Sequence, residues 1–228
     1  GVYPHTNVSL LDFGNIELGF SSDTLSFILA NYGDTDMTIS SIPATFGEFQ
    51  LLTTLTYPYT LTSYDSLELN FSFVPVDTGH VETQYPINNN STSFSFMTLK
   101  GKGYVINPAS DDILYASSGN GNGGYIATLD PLTGVGTNLG PSLFTALKSI
   151  AIHPTTKVVY GLFNSAVSST IVRVNAEKGD AYSLFSIPIS NLTSLVFDTS
   201  GVFYAFATDG KLFELSLPDG NYTELPTI

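Results

Sequence analysis

The chain has 228 residues, of which 20 are Asp or Glu and only 7 are Lys or Arg, and it contains neither Cys nor Trp. A formal net charge of −13 with a single arginine, Arg173, argues against nucleic acid and anionic membrane surfaces as partners, because both are polyanions. Without Cys the chain can form no disulfide, thiolate nucleophile, zinc–thiolate site or iron–sulfur cluster.

The remaining composition is that of a globular, secreted type of chain. Hydrophobic residues make up 43% and charged residues 12%, a balance that is not typical of disorder. No apolar run approaches the ~18 residues that a membrane span requires, so we expect no membrane insertion. The many Ser, Thr, Asn, Gly and Tyr residues beside so few Lys and Arg favour an extracellular or cell-surface location, although the segment shows no recognisable signal peptide.

The apolar residues of the first hundred positions come in short bursts, many of which alternate with polar residues. Residues 67–73 and 92–96 alternate strictly, so each segment can place one face on a core and the other in water. Turn signals such as residues 31–34 and 77–79 separate the bursts. Residues 142–149 are the nearest approach to a helix, but they are short and uncapped, and we interpret them as a loop or strand. The pattern predicts about seven antiparallel strands at the spacing of a β-sandwich.

Motifs within residues 10–104 carry a family resemblance. Residues 11–19 (LDFGNIELG) and 25–39 resemble the start of the immunoglobulin-like domains of the ASPM/SPD-2/Hydin type (choice-of-anchor D-like), which occur in many bacterial surface proteins. Residues 71–75, Gly79 and residues 99–103 are similar to that family's proline-bearing strand, turn glycine and glycine-rich last strand. The resemblance implies an immunoglobulin-like sandwich and a surface protein.

Backbone chemistry offers a reason for several of these residues that is independent of the family. Gly14, Gly19 and Gly33 stand where we expect turns to need unusual backbone angles, and Pro75 stands where a strand should end or lie at an edge.

The second half of the chain contains a repeat. Tyr115, Tyr160 and Tyr204 each belong to one copy of a strand-turn-strand unit, at spacings of 45 and 44 residues, and turn glycines follow at spacings of 45 and 41. Residues 129–134 (LDPLTG) look like the outer hairpin turn of bacterial propeller blades. A period of about 40–50 residues with four short strands per unit is typical of such blades. The predicted fold is therefore all-β: an immunoglobulin-like β-sandwich at residues 1–104, followed by about three propeller-like four-stranded blade repeats at residues 105–228.

This propeller would be incomplete. Closed propellers have about four to eight blades, and the first unit would have to take its opening strand from residues 103–107, which the last strand of the sandwich already reaches. We expect the sequence to be a piece of a longer protein. The rival hypothesis is that several chains pack together, for example as a filament in which residues 1–9 add as a strand to a neighbour.

The histidines indicate turns rather than a site. His5, His80 and His153 lie far apart, and no two have metal-ligand spacing. The repeats place Asn107 and Asp198 where the second unit has His153, which predicts a turn-capping polar residue and no need for an imidazole.

Two further segments are candidates for binding. Asp111, Asp112, Asn120 and Asn122 could offer oxygen ligands to calcium, but they lack the register of an EF-hand loop, and we interpret them as a hairpin tip. Residues 57–59 (YPY) are the only dense candidate for a sugar-stacking platform. We therefore assign no catalytic, cofactor-binding or metal residue and expect no cofactor.

The functional hypothesis follows from these features. We expect a non-enzymatic extracellular or cell-surface structural or adhesion protein that presents its β-domains to a protein or glycan partner, or to copies of itself. The alternative is a secreted propeller enzyme, a hydrolase or lyase acting on polysaccharide. Asp112, Asp130 and Asp198 are the carboxylates considered for that enzyme, and their turn-like sequence context argues against it.

Overall fold

A computed structural model describes residues 1–119 and 123–226. In these ranges the chain consists of 22 β-strands and connecting loops without a helix, which confirms the all-β prediction. Residues 142–148 are irregular and lead into a strand, in agreement with their interpretation. Across the same ranges, no helix has the length and apolar character to cross a membrane. The chain divides into two compact units, Gly1–Val105 (the N-terminal unit) and Ile106–Ile228 (the C-terminal unit).

The N-terminal unit contains eleven strands, more than the seven predicted, because several are only two or three residues long. They are β1 (Pro4–Thr6), β2 (Leu10–Glu17), β3 (Leu25–Asn31), β4 (Met37–Ser41), β5 (Thr45–Phe46), β6 (Phe49–Leu51), β7 (Tyr59–Leu61), β8 (Ser66–Phe73), β9 (Gly79–Pro86), β10 (Asn88–Asn89) and β11 (Phe96–Tyr104).

These strands form three sheets, in the orders β1-β3-β8-β6-β5, β10-β4-β7 and β2-β11-β9. All pairs are antiparallel except β2 and β11, which run parallel with Thr98 opposite Leu10. The expectation of purely antiparallel strands is therefore wrong for this pair. Alternation in a sequence indicates which face of a strand is buried, but it does not indicate the direction of the neighbouring strand. β1 pairs with β3, with Pro4 opposite Asn31, so this segment forms an edge of the first sheet within the chain.

The alternating segment at residues 67–73 is confirmed as β8 and supplies the centre of the core. Leu69, Phe71 and Phe73 point to the same side of the strand and are fully buried. The ring of Phe71 meets Tyr85 edge-on at 5.1 Å, and that of Phe73 lies 5.0 Å from Phe49. Each buried aromatic side chain of this kind stabilises the fold by roughly 1.5–3 kcal/mol.

The predicted strand at residues 92–96 is wrong: only Phe96 belongs to a strand, and the preceding residues form a loop. The side-chain amide of Asn89 replaces the ladder there, because its Nδ2 donates to the carbonyl oxygens of Ile87 at 2.7 Å and Phe94 at 2.9 Å. A local side-chain hydrogen bond has thus competed successfully with strand pairing.

The glycine expectations are confirmed at two positions and corrected at a third. Gly14 and Gly19 have φ angles of +69° and +90°. Gly33 does not have a positive φ; a Cβ there would collide with the backbone oxygen of Gly1 and lie 2.6 Å from the backbone nitrogen of Tyr3. Gly33 is therefore required for a close approach of two backbone segments.

The C-terminal unit folds as three successive antiparallel meanders in chain order, β12-β13-β14, β15-β16-β17-β18 and β19-β20-β21-β22. The first sheet has three strands because β11 of the N-terminal unit already extends to Tyr104, as the sequence indicated. The described residues form no closed propeller. The strands are β12 (Leu114–Ser117), β13 (Tyr125–Leu129), β14 (Gly136–Pro141), β15 (Ser149–Ile152), β16 (Val159–Asn164), β17 (Ser169–Val174), β18 (Ala181–Ile187), β19 (Leu192–Phe197), β20 (Phe203–Ala207), β21 (Leu212–Leu215) and β22 (Tyr222–Leu225).

Both faces of the middle sheet are buried, which explains its nearly continuous apolar strands. Val159 and Val172 pack in a cluster with residues of the first sheet. Tyr160 and Leu162 project to the other face and pack in a second cluster with Phe203 of the last sheet. Consecutive sheets are therefore held together by apolar contact.

The last hairpin of each sheet closes with the same turn. Gly134, Gly179 and Gly220 have φ angles of +72°, +79° and +72°. The N–H of each donates to the carbonyl oxygen four residues earlier, at 2.8, 2.8 and 3.0 Å. Glycine adopts these angles without steric cost, so backbone geometry accounts for the repeated glycines found in the sequence.

Candidate functional site

A cavity of about 600 Å³ lies in the C-terminal unit, at one end of its three sheets. The residues with polar or aromatic side chains that line it are Ser117, Thr145, Lys148, Phe163, Asn164 and Thr193. The other lining residues are glycine, alanine and leucine. Its volume falls in the range of about 300–1,000 Å³ that is usual for small-molecule sites.

The repeat brings these residues together. β12 and β16 both end at this edge, with Ser117 and Asn164 as their last residues. β15 and β19 run antiparallel to their neighbours and begin at the same edge, so Lys148 directly precedes β15 and Thr193 is the second residue of β19. Equivalent strand ends of successive sheets therefore place their polar side chains around one opening.

Backbone carbonyls fix three of the lining side chains. The Ser117 hydroxyl donates to the Leu147 carbonyl oxygen at 3.1 Å, and the Thr193 hydroxyl donates to that of Phe206 at 3.3 Å. Asn164 Nδ2 donates to the carbonyl oxygens of Ser190 at 3.1 Å and Leu192 at 2.7 Å. These bonds leave Asn164 Oδ1 as an acceptor that is shielded from solvent and receives no hydrogen bond within residues 1–119 and 123–226.

The electrostatics of the cavity contrast with those of the chain. Lys148 is exposed, and no carboxylate lies within ion-pair distance of its ammonium in the part of the chain that the structure describes. By comparison, Lys157 contacts Asp111 at 2.9 Å, and Lys211 and Lys100 have similar partners. Among the described residues that line the cavity, none is Asp, Glu or His. The cavity is thus a cationic spot on a protein whose net charge is −13.

One aromatic ring, that of Phe163, lines a side of the cavity. The ring of Phe163 lies 5.2 Å from that of Phe144 with a tilt of 50°, a favourable geometry for two aromatic rings. The loop that carries Phe144 is held by the buried hydroxyl of Ser142, which receives a hydrogen bond from the Phe144 N–H at 3.3 Å. Phe163 remains partly exposed and offers an apolar surface to a ligand.

The histidines do not contribute to this cavity. His153 Nδ1 accepts hydrogen bonds from the backbone N–H groups of Thr155 and Thr156, both at 3.2 Å, which confirms its predicted role as a turn cap. Asp198 caps the equivalent turn, whereas Asn107 instead donates to Glu177 at 2.6 Å. Within residues 1–119 and 123–226, no group of three or more His, Cys, Asp and Glu side chains could hold a metal ion.

The carboxylates considered for an enzyme are engaged in their own turns. Asp130 accepts hydrogen bonds from the N–H groups of Thr133 and Leu132, which lower the pKa of its carboxyl group. The Ser200 hydroxyl and the Val202 N–H likewise lower the pKa of Asp198. Neither carboxylate lines the cavity, and neither does Asp112, which has a φ of +61° in a turn.

The two other candidates from the sequence also lie elsewhere. Asp111 forms the ion pair with Lys157, and its proposed calcium partners Asn120 and Asn122 lie outside the described residues. Tyr57 and Tyr59 are partly buried against the core of the N-terminal unit instead of forming an exposed platform. The hydroxyl of Tyr57 donates to the Ile42 carbonyl oxygen at 3.3 Å, and burial raises its pKa.

Sequence reasoning overlooked the lining residues, although the repeat contains a signal for two of them. At the spacing of 44 residues between Tyr160 and Tyr204, Lys148 corresponds to Leu192 and Asn164 to Thr208. The repeat does not require a charged or amide side chain at these two positions, because the equivalent residues of the next unit are of another type. Such a departure could have drawn attention to both positions.

No protein-family model and no curated protein matches the chain. Among solved structures, a PapD-like (ASH) domain of human CEP192 is similar at 16% identity and a TM-score of 0.34, over 45% of this chain and 85% of that one. The Dos1 propeller is similar at 14% identity and a TM-score of 0.35, over 88% of this chain and 46% of that one.

A protein of unknown function from Porphyromonas gingivalis W83 is similar at 11% identity and a TM-score of 0.40, over 97% of both chains. At these values the likeness is coarse. It shows the all-β class, with immunoglobulin-like and propeller structures among the similar ones. It does not indicate an activity.

Proposed function

We propose that this chain is a non-enzymatic extracellular or cell-surface protein of the structural or adhesion class, whose C-terminal unit presents a binding cavity to a glycan or protein partner. In this proposal the N-terminal unit is an immunoglobulin-like sandwich that acts as a spacer or docking module. The three sheets of the C-terminal unit are propeller-type blades. The motifs in residues 10–104 and the repeat of about 45 residues support these two assignments.

The chemistry of the cavity is the observation on which the proposal rests. Its side chains supply hydroxyl groups, an amide, an ammonium and an aromatic ring, which are the groups that bind and orient a polar ligand. Hydrolysis or elimination on a polysaccharide usually requires a pair of carboxylates or an imidazole as acid and base. Because the described lining residues include neither group, the lining favours binding over turnover.

A screen of the full chain against immobilised glycans and peptides tests this function, with product analysis of every ligand that binds. We expect binding without turnover, and we expect Ala146→Phe to weaken it because Ala146 lines the cavity. Ala44→Phe is the matched control, since Ala44 is an exposed alanine of the N-terminal unit and does not line the cavity. Cleavage of a bound glycan would refute the proposal and support a secreted polysaccharide hydrolase or lyase.

A second role, as a subunit of a larger assembly, is favoured by the first sheet of the C-terminal unit. It has three strands where the next two have four, and β12 pairs only with β13 among the described residues. An unpaired strand edge can accept another strand by backbone hydrogen bonding. Light scattering of the purified chain tests this role, and a monomer at all concentrations up to about 1 mM, where even weak edge pairing would associate, would refute it.

A further inference from the structure

We infer that the cavity takes a sugar that carries a carboxylate, as in a hexuronate unit. This inference rests on the proposed binding function and names the ligand class of the same site. It follows from the charge of the lining, from its hydrogen-bonding groups and from its aromatic side.

The charge is the first step. Within residues 1–119 and 123–226, Lys148 presents an ammonium without an acidic partner, at a cavity whose lining has no carboxylate. Elsewhere the 20 acidic residues of the chain repel an anion, Lys100, Lys157 and Lys211 pair with three of them, and the exposed Lys178 directly follows Glu177. An anionic group is therefore favoured at this opening over the acidic surface around it. One lysine suits the single charge of a carboxylate, whereas a phosphate carries up to two charges and is usually held by a guanidinium or several N–H groups.

The hydrogen-bonding groups indicate that the rest of the ligand is a polyol. The Thr145 hydroxyl is exposed at the opening and can donate or accept. The hydroxyl oxygens of Ser117 and Thr193 donate to backbone carbonyls and can still accept a hydrogen bond from a ligand hydroxyl. Phe163 offers an apolar face at the side of the cavity, against which the C–H face of a pyranose ring can pack.

The test compares methyl glycosides that differ only in the carboxylate. The full chain is titrated calorimetrically with the methyl glycosides of D-galacturonate, D-glucuronate and D-mannuronate, each beside its neutral hexose counterpart. For at least one pair we expect the acid to bind about fivefold more tightly at low salt, the factor expected for one ion pair near water. Added salt should reduce that ratio, because it screens exposed charges.

Two lysine variants connect the preference to the cavity. Lys148→Gln should make the acid and its neutral counterpart bind equally. Lys178→Gln is the matched control, because Lys178 is an exposed lysine in the turn between β17 and β18 and the change in net charge is the same. This control should retain the full preference. Far-UV circular dichroism verifies that both variants remain folded.

Several results would overturn the inference. Equal affinity for acid and neutral sugar, absence of binding for all three acids, or a preference that survives Lys148→Gln would each do so. Binding of neutral sugars alone would overturn this inference while leaving the proposed function intact. Turnover of any glycoside would instead overturn the proposed function.

Discussion

Replacing Gly220 by alanine probes how the last sheet packs against the middle one. Gly220 lies in the turn before β22 with a φ of +72°, and a Cβ built there would lie 2.5 Å from Cγ and 2.6 Å from Cδ2 of Phe185, in β18. Gly134 occupies the equivalent turn of the first sheet with the same φ of +72°, and a Cβ there meets only open space. The two positions thus share a backbone conformation and differ in their neighbour.

The magnitudes follow from that difference. Alanine in the left-handed region costs about 1–2 kcal/mol, and its smaller unfolded-state entropy returns about 0.4–1 kcal/mol. Gly134→Ala should therefore destabilise the chain by about 1 kcal/mol. At Gly220 overpacking adds about 1–3 kcal/mol, because the Cβ of Phe185 is also only 2.9 Å away and the ring cannot swing clear. Gly220→Ala should thus cost about 2–4 kcal/mol.

Urea unfolding followed by far-UV circular dichroism measures both variants, with the midpoints compared at a common slope. A double variant that combines Gly220→Ala with Phe185→Leu should recover part of the loss, since the two changes share one contact. Equal destabilisation by Gly134→Ala and Gly220→Ala would refute the packing of this turn on Phe185.

Three further predictions concern pH and core packing. Burial raises the pKa of Tyr85 to about 12 from 10.0. The stability that depends on its neutral phenol is therefore complete below pH 10 and is lost as the pH rises through 12. Tyr85→Phe should reduce this alkaline loss of stability in urea titrations. The Ser200 hydroxyl lowers the pKa of Asp198 below 3.8. The stability that the ionised carboxylate adds is therefore present above that pH and is lost on acidification. Asp198→Asn should flatten the acid side of the curve of stability against pH. Phe203→Ala should cost about 3–5 kcal/mol, whereas Phe206→Ala on the same strand should cost under about 1 kcal/mol, because they are 1% and 45% exposed.

Each of these predictions has a contradicting result. An unchanged alkaline profile in Tyr85→Phe would show that another group controls stability at high pH. An acid limb of Asp198→Asn as steep as that of the parent would remove this carboxylate from the account of acid unfolding. Equal midpoints for Phe203→Ala and Phe206→Ala would contradict the burial of Phe203 between the middle and last sheets.

The repeat of the C-terminal unit could be predicted because its signals are local. A turn that requires a positive φ needs glycine, and Gly134, Gly179 and Gly220 meet that need within a single hairpin each. In the last two sheets, the residue that caps the turn between the first two strands accepts hydrogen bonds from N–H groups two to four residues ahead. Either an imidazole, as in His153, or a carboxylate, as in Asp198, can therefore cap this turn. Local geometry of this kind depends on residues that are close together in the sequence, so it can be predicted from them.

The errors arose where the outcome depends on distant partners. β11 pairs with β9 on one side and, in parallel, with β2 on the other, and nothing in the alternation of its own residues specifies the direction of β2. Residues 92–95 alternate as well as any strand does, yet the Asn89 side chain takes up backbone groups on both sides of this loop. Periodicity reports the burial of a face and carries no information on which strand lies beside it.

The cavity could not be predicted for a related reason. Ser117 and Thr193 are unremarkable in sequence, whereas Lys148 and Asn164 differ only by departing from the repeat. The four become a site because equivalent ends of three successive sheets open at the same edge. The spacing of the repeat gives the number of sheets but does not identify the end of the sheets at which polar side chains surround an opening. That assignment requires the contacts of each side chain.

Hydrogen–deuterium exchange of the full chain, with and without the tightest-binding ligand of the glycan and peptide panel, tests the central claim most directly. The cavity predicts slower exchange in residues 117–119, 145–148, 163–164 and 191–193, with the ligand recovered intact. Protection confined to other segments, or recovery of a cleaved ligand, would contradict a non-enzymatic protein that binds its partner at this cavity.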